Sequence, residues 1–191
     1  MDARLRRSLT EDPWAAVSSP HGFNADELIS SLQKYIRRGV LEEAVLVAYE
    51  LSITSDELEE YLWTRLQVIS VEDAGTGHFV EPVVIDALYR IHERLAYGSG
   101  DRWLVTVHAV RFLVTRTKDR TSDELANWIK ASVDSGELVP TVPEFALDMH
   151  TKRGREMGRG LRHFLETGAF VENELSGRDL TYRERLLATL E

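Results

Sequence analysis

The stretch Thr54-Ser-Asp-Glu-Leu-Glu-Glu-Tyr-Leu-Trp-Thr-Arg-Leu-Gln-Val-Ile69 decides the fold class. Leu58, Tyr61, Leu62, Leu66 and Ile69 recur at steps of three and four, which stacks them on one side of a 3.6-residue turn. A strand alternates its faces every residue and would divide the same side chains between them. Thr54 stands three residues before Glu57, the spacing at which a cap oxygen and a carboxylate satisfy each other's free backbone N–H groups. This stretch is an amphipathic helix with a marked start.

The same pattern extends in both directions. Ala44, Val47, Ala48 and Leu51 form one stripe, Val84, Leu88, Ile91 and Leu95 another, and Leu125, Trp128, Ile129 and Val133 a fourth. Each is expected to lay one apolar face against a common core. Asn24 with Glu27, Thr121 with Glu124 and Thr181 with Glu184 repeat the capping spacing. Pro82 suits a first turn, where its missing N–H costs little. Gly39, Gly75 to Gly77, Gly98 to Gly100, Gly136 and Pro140 mark stops. Helices are therefore predicted near 25–38, 41–52, 55–72, 82–97, 101–116, 122–134, 144–153 and 181–190. Residues 154–167 stay open between helix and loop, since Gly154, Gly158 and Gly160 each weaken a helix by roughly 1 kcal/mol. The run from Trp103 to Val114 is apolar on nearly all sides and should lie centrally, although its β-branched residues would also suit a buried strand. The expected fold is all-α: a compact bundle of paired antiparallel helices around that central apolar helix. Residues 1–22 read as a loose lead-in from which Trp14 docks on the body, and 23–191 as one helical domain.

Composition narrows the function. The chain has 191 residues, 43% of them hydrophobic, enough to build a substantial core. Its net charge of -9 repels a phosphate backbone, so any DNA contact needs a local basic patch. With no cysteine there are no disulfides, thiolate nucleophiles or Cys-based zinc sites. The start carries no secretory pattern, and no apolar run is long enough to span a bilayer, so a cytoplasmic protein without membrane contact is expected. Gly-x-x-x-x-Gly-Lys-Ser/Thr, His-Glu-x-x-His and Gly-x-Ser-x-Gly are all absent. That speaks against a familiar nucleotidase, protease or esterase, and no cofactor or metal is expected.

Two stretches stand out. Leu66 to Gly75 runs a helix into Glu72, Asp73 and Gly75. Its carboxylates read either as metal ligands or a general base, or as acceptors for backbone N–H groups at a helix junction that Gly75 closes; the junction is the favoured reading. Within Pro143 to His163, residues 152–162 carry Lys152, Arg153, Arg155, Arg159 and Arg162 against a single glutamate, Glu156. These arginines can fork onto phosphates or a partner's carboxylates, or pair with the chain's own acidic surplus. Asp148 and His150, two residues apart, do not share a helical face, so no local acid–base or metal pair is expected of them. His108, on the apolar helix, reads as a hydrogen-bonded core histidine.

These stretches, taken in order, resemble the C-terminal helical region of the RarA/MgsA-type replication-associated AAA+ ATPases. Leu41 to Leu51 is similar to an Ala-rich early helix of that family, and Ser70 to Gly75 to its Ser-Glu-Asp-Ile/Val-Gly helix end. Val110 to Lys118, Val142-Pro143, Asp148-Met-His150, Lys152-Arg153-Gly154 and Gly158-Arg-Gly160 resemble later motifs in the same sequence. The likeness spans residues 25–160. Ala74 replaces the family's Ile/Val, Arg159 replaces a histidine, and the ATPase core is missing. The resemblance implies an all-helical oligomerisation module, a homo-oligomer or a partner of an AAA+-type protein in DNA replication or repair. It implies no catalytic residue. Direct DNA binding through 152–162, or a hydrolase-type site assembled from Glu72, Asp73, Asp148 and His150, are the alternatives.

Overall fold

The computed structural model describes residues 12–74 and 79–190, and no strand forms among them. Pro13–Ala16 is a 3-10 turn, followed by α1 (Ala25–Arg38), α2 (Leu41–Thr54), α3 (Asp56–Glu72), α4 (Glu81–His92), α5 (Gly100–Thr115) and α6 (Thr121–Asp134). Beyond a second 3-10 turn, Glu144–Ala146, come α7 (Lys152–Glu156), α8 (Leu161–His163), a π turn (Phe164–Gly168) and α9 (Thr181–Ala188). The chain divides into two compact units, Met1–Ala131 and Ser132–Glu191. The division falls inside α6.

In the first unit α1 to α5 form an all-α bundle. Sequential neighbours pack on one another, and α5 meets all four of the others, as its apolar composition led us to expect. The core comprises Leu28, Leu32 and Ile36 of α1, Ala44, Ala48 and Leu51 of α2, and Leu58, Leu62, Leu66 and Ile69 of α3. Ile85, Ala109, Val110 and Leu113 complete it from α4 and α5. Each leucine, isoleucine or valine among them, once sealed from water, contributes roughly 1.5–3 kcal/mol. Trp63, outside the predicted stripe, is also fully buried. Trp14 packs its ring 5.1 Å from that of Tyr61, so this residue docks on the body as expected.

Local chemistry explains where elements depart from the sequence expectation. Ser55 rather than Thr54 caps α3, accepting from the N–H of Leu58 at 3.2 Å, while the Thr54 hydroxyl donates back to Glu50 O. Asn24 makes no side-chain cap. Ahead of α6 and α9, Asp119 and Asp179 accept from the N–H groups of Thr121 and Thr181, so carboxylates two residues upstream do the capping. Gly39 ends α1 in the left-handed region (φ 74°), which only glycine adopts at no steric cost. Helix α4 stops at His92 instead of 97 because Arg102 Nη1 draws off the carbonyls of His92 (3.2 Å) and Leu95 (2.9 Å). Ile91 of its predicted stripe faces outward, and the side chains that α4 buries are instead Glu81, Ile85 and His92, none of them in that stripe.

Two corrections concern faces. α5 buries Thr106, Ala109, Val110, Leu113 and Val114, but its other side, including Leu104 and His108, is exposed. His108 is therefore not a core histidine. The stripe of α6 also fails to join the core: Leu125, Trp128, Ile129 and Val133 are all exposed.

The second unit is built around turns. The predicted helix 144–153 breaks because Asp148 Oδ1 accepts from the N–H of His150 at 2.9 Å, a local bond that competes with helical hydrogen bonding. The chain restarts at α7, where Thr151 Oγ1 caps Gly154 N at 3.0 Å.

Candidate functional site

At the end of α3 the sequence places Glu72 and Asp73 side by side, and the fold brings three arginines to them. Arg37 of α1 donates through Nε to Asp73 Oδ1 at 2.6 Å and through Nη2 to Glu72 at 3.1 Å. Arg120, just before α6, donates to Asp73 Oδ1 at 2.5 Å and to Glu72 at 3.3 Å. Gln33 reaches Asp73 Oδ2 at 2.8 Å, and Arg65 stands 3.9 Å from Glu72. The Asp73 side chain is 0% exposed. Burial alone would raise its pKa, but hydrogen bonds from Arg37, Gln33 and Arg120 outweigh this and hold it below the ordinary aspartate range. A carboxylate so neutralised is a weak base with no free lone pairs for a metal. Among the described residues, the partners of these carboxylates are side chains rather than the junction N–H groups that the sequence reading favoured. Instead, the Asp73 carbonyl accepts from Asp119 N at 3.2 Å and Ala74 bridges to Lys118, which ties the end of α3 to the turn before α6. Lys118 Nζ caps α5 by donating to the carbonyls of Leu113 and Val114. Gly75 lies outside the described residues.

A second buried network was not visible in the sequence. His92, fully buried, sets Nε2 3.2 Å from Glu59 Oε1, and Arg102 Nε donates to Glu59 Oε2 at 2.9 Å. Burial works to raise the Glu59 pKa, yet hydrogen bonds from His92 and Arg102 leave it lowered. The His92 ring packs 4.7 Å from that of Trp63. Glu59 occupies the apolar side of α3 between Leu58 and Leu62, an exception to the stripe that was the available signal for a buried charge.

In the second unit, Asp148 and His150 do meet, contrary to the expectation from helical spacing: His150 Nδ1 lies 3.1 Å from Asp148 Oδ1 because the backbone between them turns. Asp148 is buried, and a Cβ on Gly154 would fall 2.0 Å from its carbonyl oxygen, so only glycine permits this approach. His150 stacks edge-on against Phe164. The basic tract is largely engaged. Arg159 Nη1 holds the carbonyls of Leu147 (2.7 Å) and Glu144 (2.8 Å), and its Nη2 also pairs with the Glu144 carboxylate. Arg162 reaches Glu166 and Leu187 O, and Arg155 reaches Met149 O at 3.1 Å. Lys152, opposite Glu156, and Arg153 are exposed on α7.

Glu72 and Asp73 thus belong to the first unit, and Asp148 and His150 to the second. Among the described residues no group of three His, Cys, Asp or Glu side chains is placed to hold a metal ion. No described helix is long and apolar enough to cross a membrane. No family model matches the chain, and a search of curated proteins returns no significant match.

Proposed function

We propose that this chain is a non-catalytic helical interaction module that self-associates, an accessory to an AAA+-type ATPase in DNA replication or repair, acting in the cytoplasm. One observation carries the reading. In the second unit Leu147 alone among the described large apolar side chains is buried, while Val139, Val142, Phe145, Phe170, Leu175 and Tyr182 are among those exposed. A segment of that size with so small a core gains little from its own packing, and this many exposed large apolar side chains favour burial against a partner. Separately, α6 leaves its own apolar stripe of Leu125, Trp128, Ile129 and Val133 exposed. The resemblance across residues 25–160 is the reason for naming an AAA+ partner.

Sedimentation equilibrium across micromolar concentrations tests self-association, with a reversible oligomer expected. A strict monomer, with no ATPase co-purifying from the native host, would overturn the proposal.

A second reading, DNA binding through 152–162, is favoured by the outward placement of Lys152 and Arg153 on α7. It requires affinity that falls steeply with salt. Arg159, already committed to carbonyls and Glu144, has no free fork for a phosphate.

A further inference from the structure

Every buried acidic residue among those described has a partner, with one exception. Glu50 pairs with His21, Glu59 with His92 and Arg102, Asp73 with Arg37 and Arg120, and Asp148 with His150. Glu81, at the first turn of α4, is only 4% exposed, and its Oε2 has no hydrogen-bond partner. A carboxylate withdrawn from water without a partner is strongly destabilised. The helix N-terminus favours its negative charge, but Pro82 in the next position has no N–H to offer it.

Glu81 lines a cavity of about 450 Å³ in the first unit, formed by the end of α3, the start of α4 and the start of α6. That volume suits a small ligand. The ionisable side chains lining it are all acidic: Glu72, Glu81, Asp119 and Asp123. Three of them are already engaged, Glu72 and Asp123 by Arg120 and Asp119 by Thr121. Val68, Val71, Phe79 and Pro82 supply apolar wall. We propose that this cavity binds an organic cation, an alkylammonium or guanidinium group paired with Glu81, its carbon chain lying along the apolar wall. Carboxylates too dispersed to ligate a metal, next to hydrocarbon surface, fit such a group better than a bare ion. The inference stands apart from self-association.

The same chemistry reaches the cavity from a free polyamine or from a lysine or arginine of a partner. Titration calorimetry on the full chain with 1,4-diaminobutane, agmatine and a capped Ala-Arg-Ala peptide separates these sources, with 1,4-butanediol as the uncharged control. Saturable binding of at least one cation is expected, at least tenfold weaker for the diol and for Glu81→Gln. Glu81→Leu should raise Tm while abolishing binding, since it removes the unpaired charge. Diamine preference indicates a free ligand and peptide preference a partner side chain. No binding by any cation, equal binding of diamine and diol, or undiminished binding by Glu81→Gln would overturn the proposal. The contrast between diamine and diol is read on the unmodified protein, so it decides the matter even if a variant fails to fold.

Discussion

Asp73 and Gly154 are the residues at which small changes should be felt most. Asp73 is the shared acceptor of Arg37, Gln33 and Arg120, so Asp73→Ala leaves two guanidinium groups facing a gap. The expected loss is about 1–3 kcal/mol, since both arginines are partly solvated and keep Glu72 as a partner, read from the urea midpoint of the variant. The same network sets an acid limit. Asp73 and Glu59 both have folded pKa values below their ordinary ones, so their stabilisation is complete above those ordinary values, near pH 4. It is lost as pH falls through the lowered folded values. Tm should therefore fall below about pH 4, and Asp73→Asn together with Glu59→Gln should flatten that fall. An equally steep decline in the double variant would place the acid sensitivity elsewhere. Gly154→Ala forces a methyl against the Asp148 backbone and should disrupt the turn carrying His150, visible as loss of the His150–Phe164 ring-current shift in proton NMR.

At the level of elements, α3 and α6 carry apolar stripes of similar form with opposite fates. The α3 stripe is sealed by α1, α2, α4 and α5, so Leu62→Ala should cost about 2–5 kcal/mol through a cavity that neighbours cannot fill. The α6 stripe packs no more than marginally on other helices, and Trp128 is 56% exposed. Trp128→Glu should leave the denaturation midpoint within about 0.5 kcal/mol of the parent while weakening self-association. A large loss of stability in dilute protein would show that this face is internal to the monomer. Periodicity is identical in the two cases because it reports only that a helix has an apolar side. What covers that side is a separate question.

For the whole molecule, an association that buries the second unit's apolar surface ties stability to concentration. Tm should rise with protein concentration over the micromolar range, because any binding to the folded state alone adds to its stability. A Tm unchanged across that range would argue against the proposed assembly.

Much of this architecture is legible in the amino-acid sequence. Three- and four-residue spacing made the protein all-α, put α1, α2 and α3 close to their observed limits, and identified Leu58, Leu62, Leu66 and Ile69 as core. These outcomes depend on contacts within a turn or two of helix, which sequence order itself defines. Tertiary structure alone decided the rest. The arginines around Asp73 come from positions 37 and 120, the partners of Glu59 from 92 and 102, and the turn joining Asp148 to His150 relies on Gly154. Charges pair across space rather than along the chain, and no local pattern records which distant guanidinium a folded backbone will bring within 3 Å of a carboxylate.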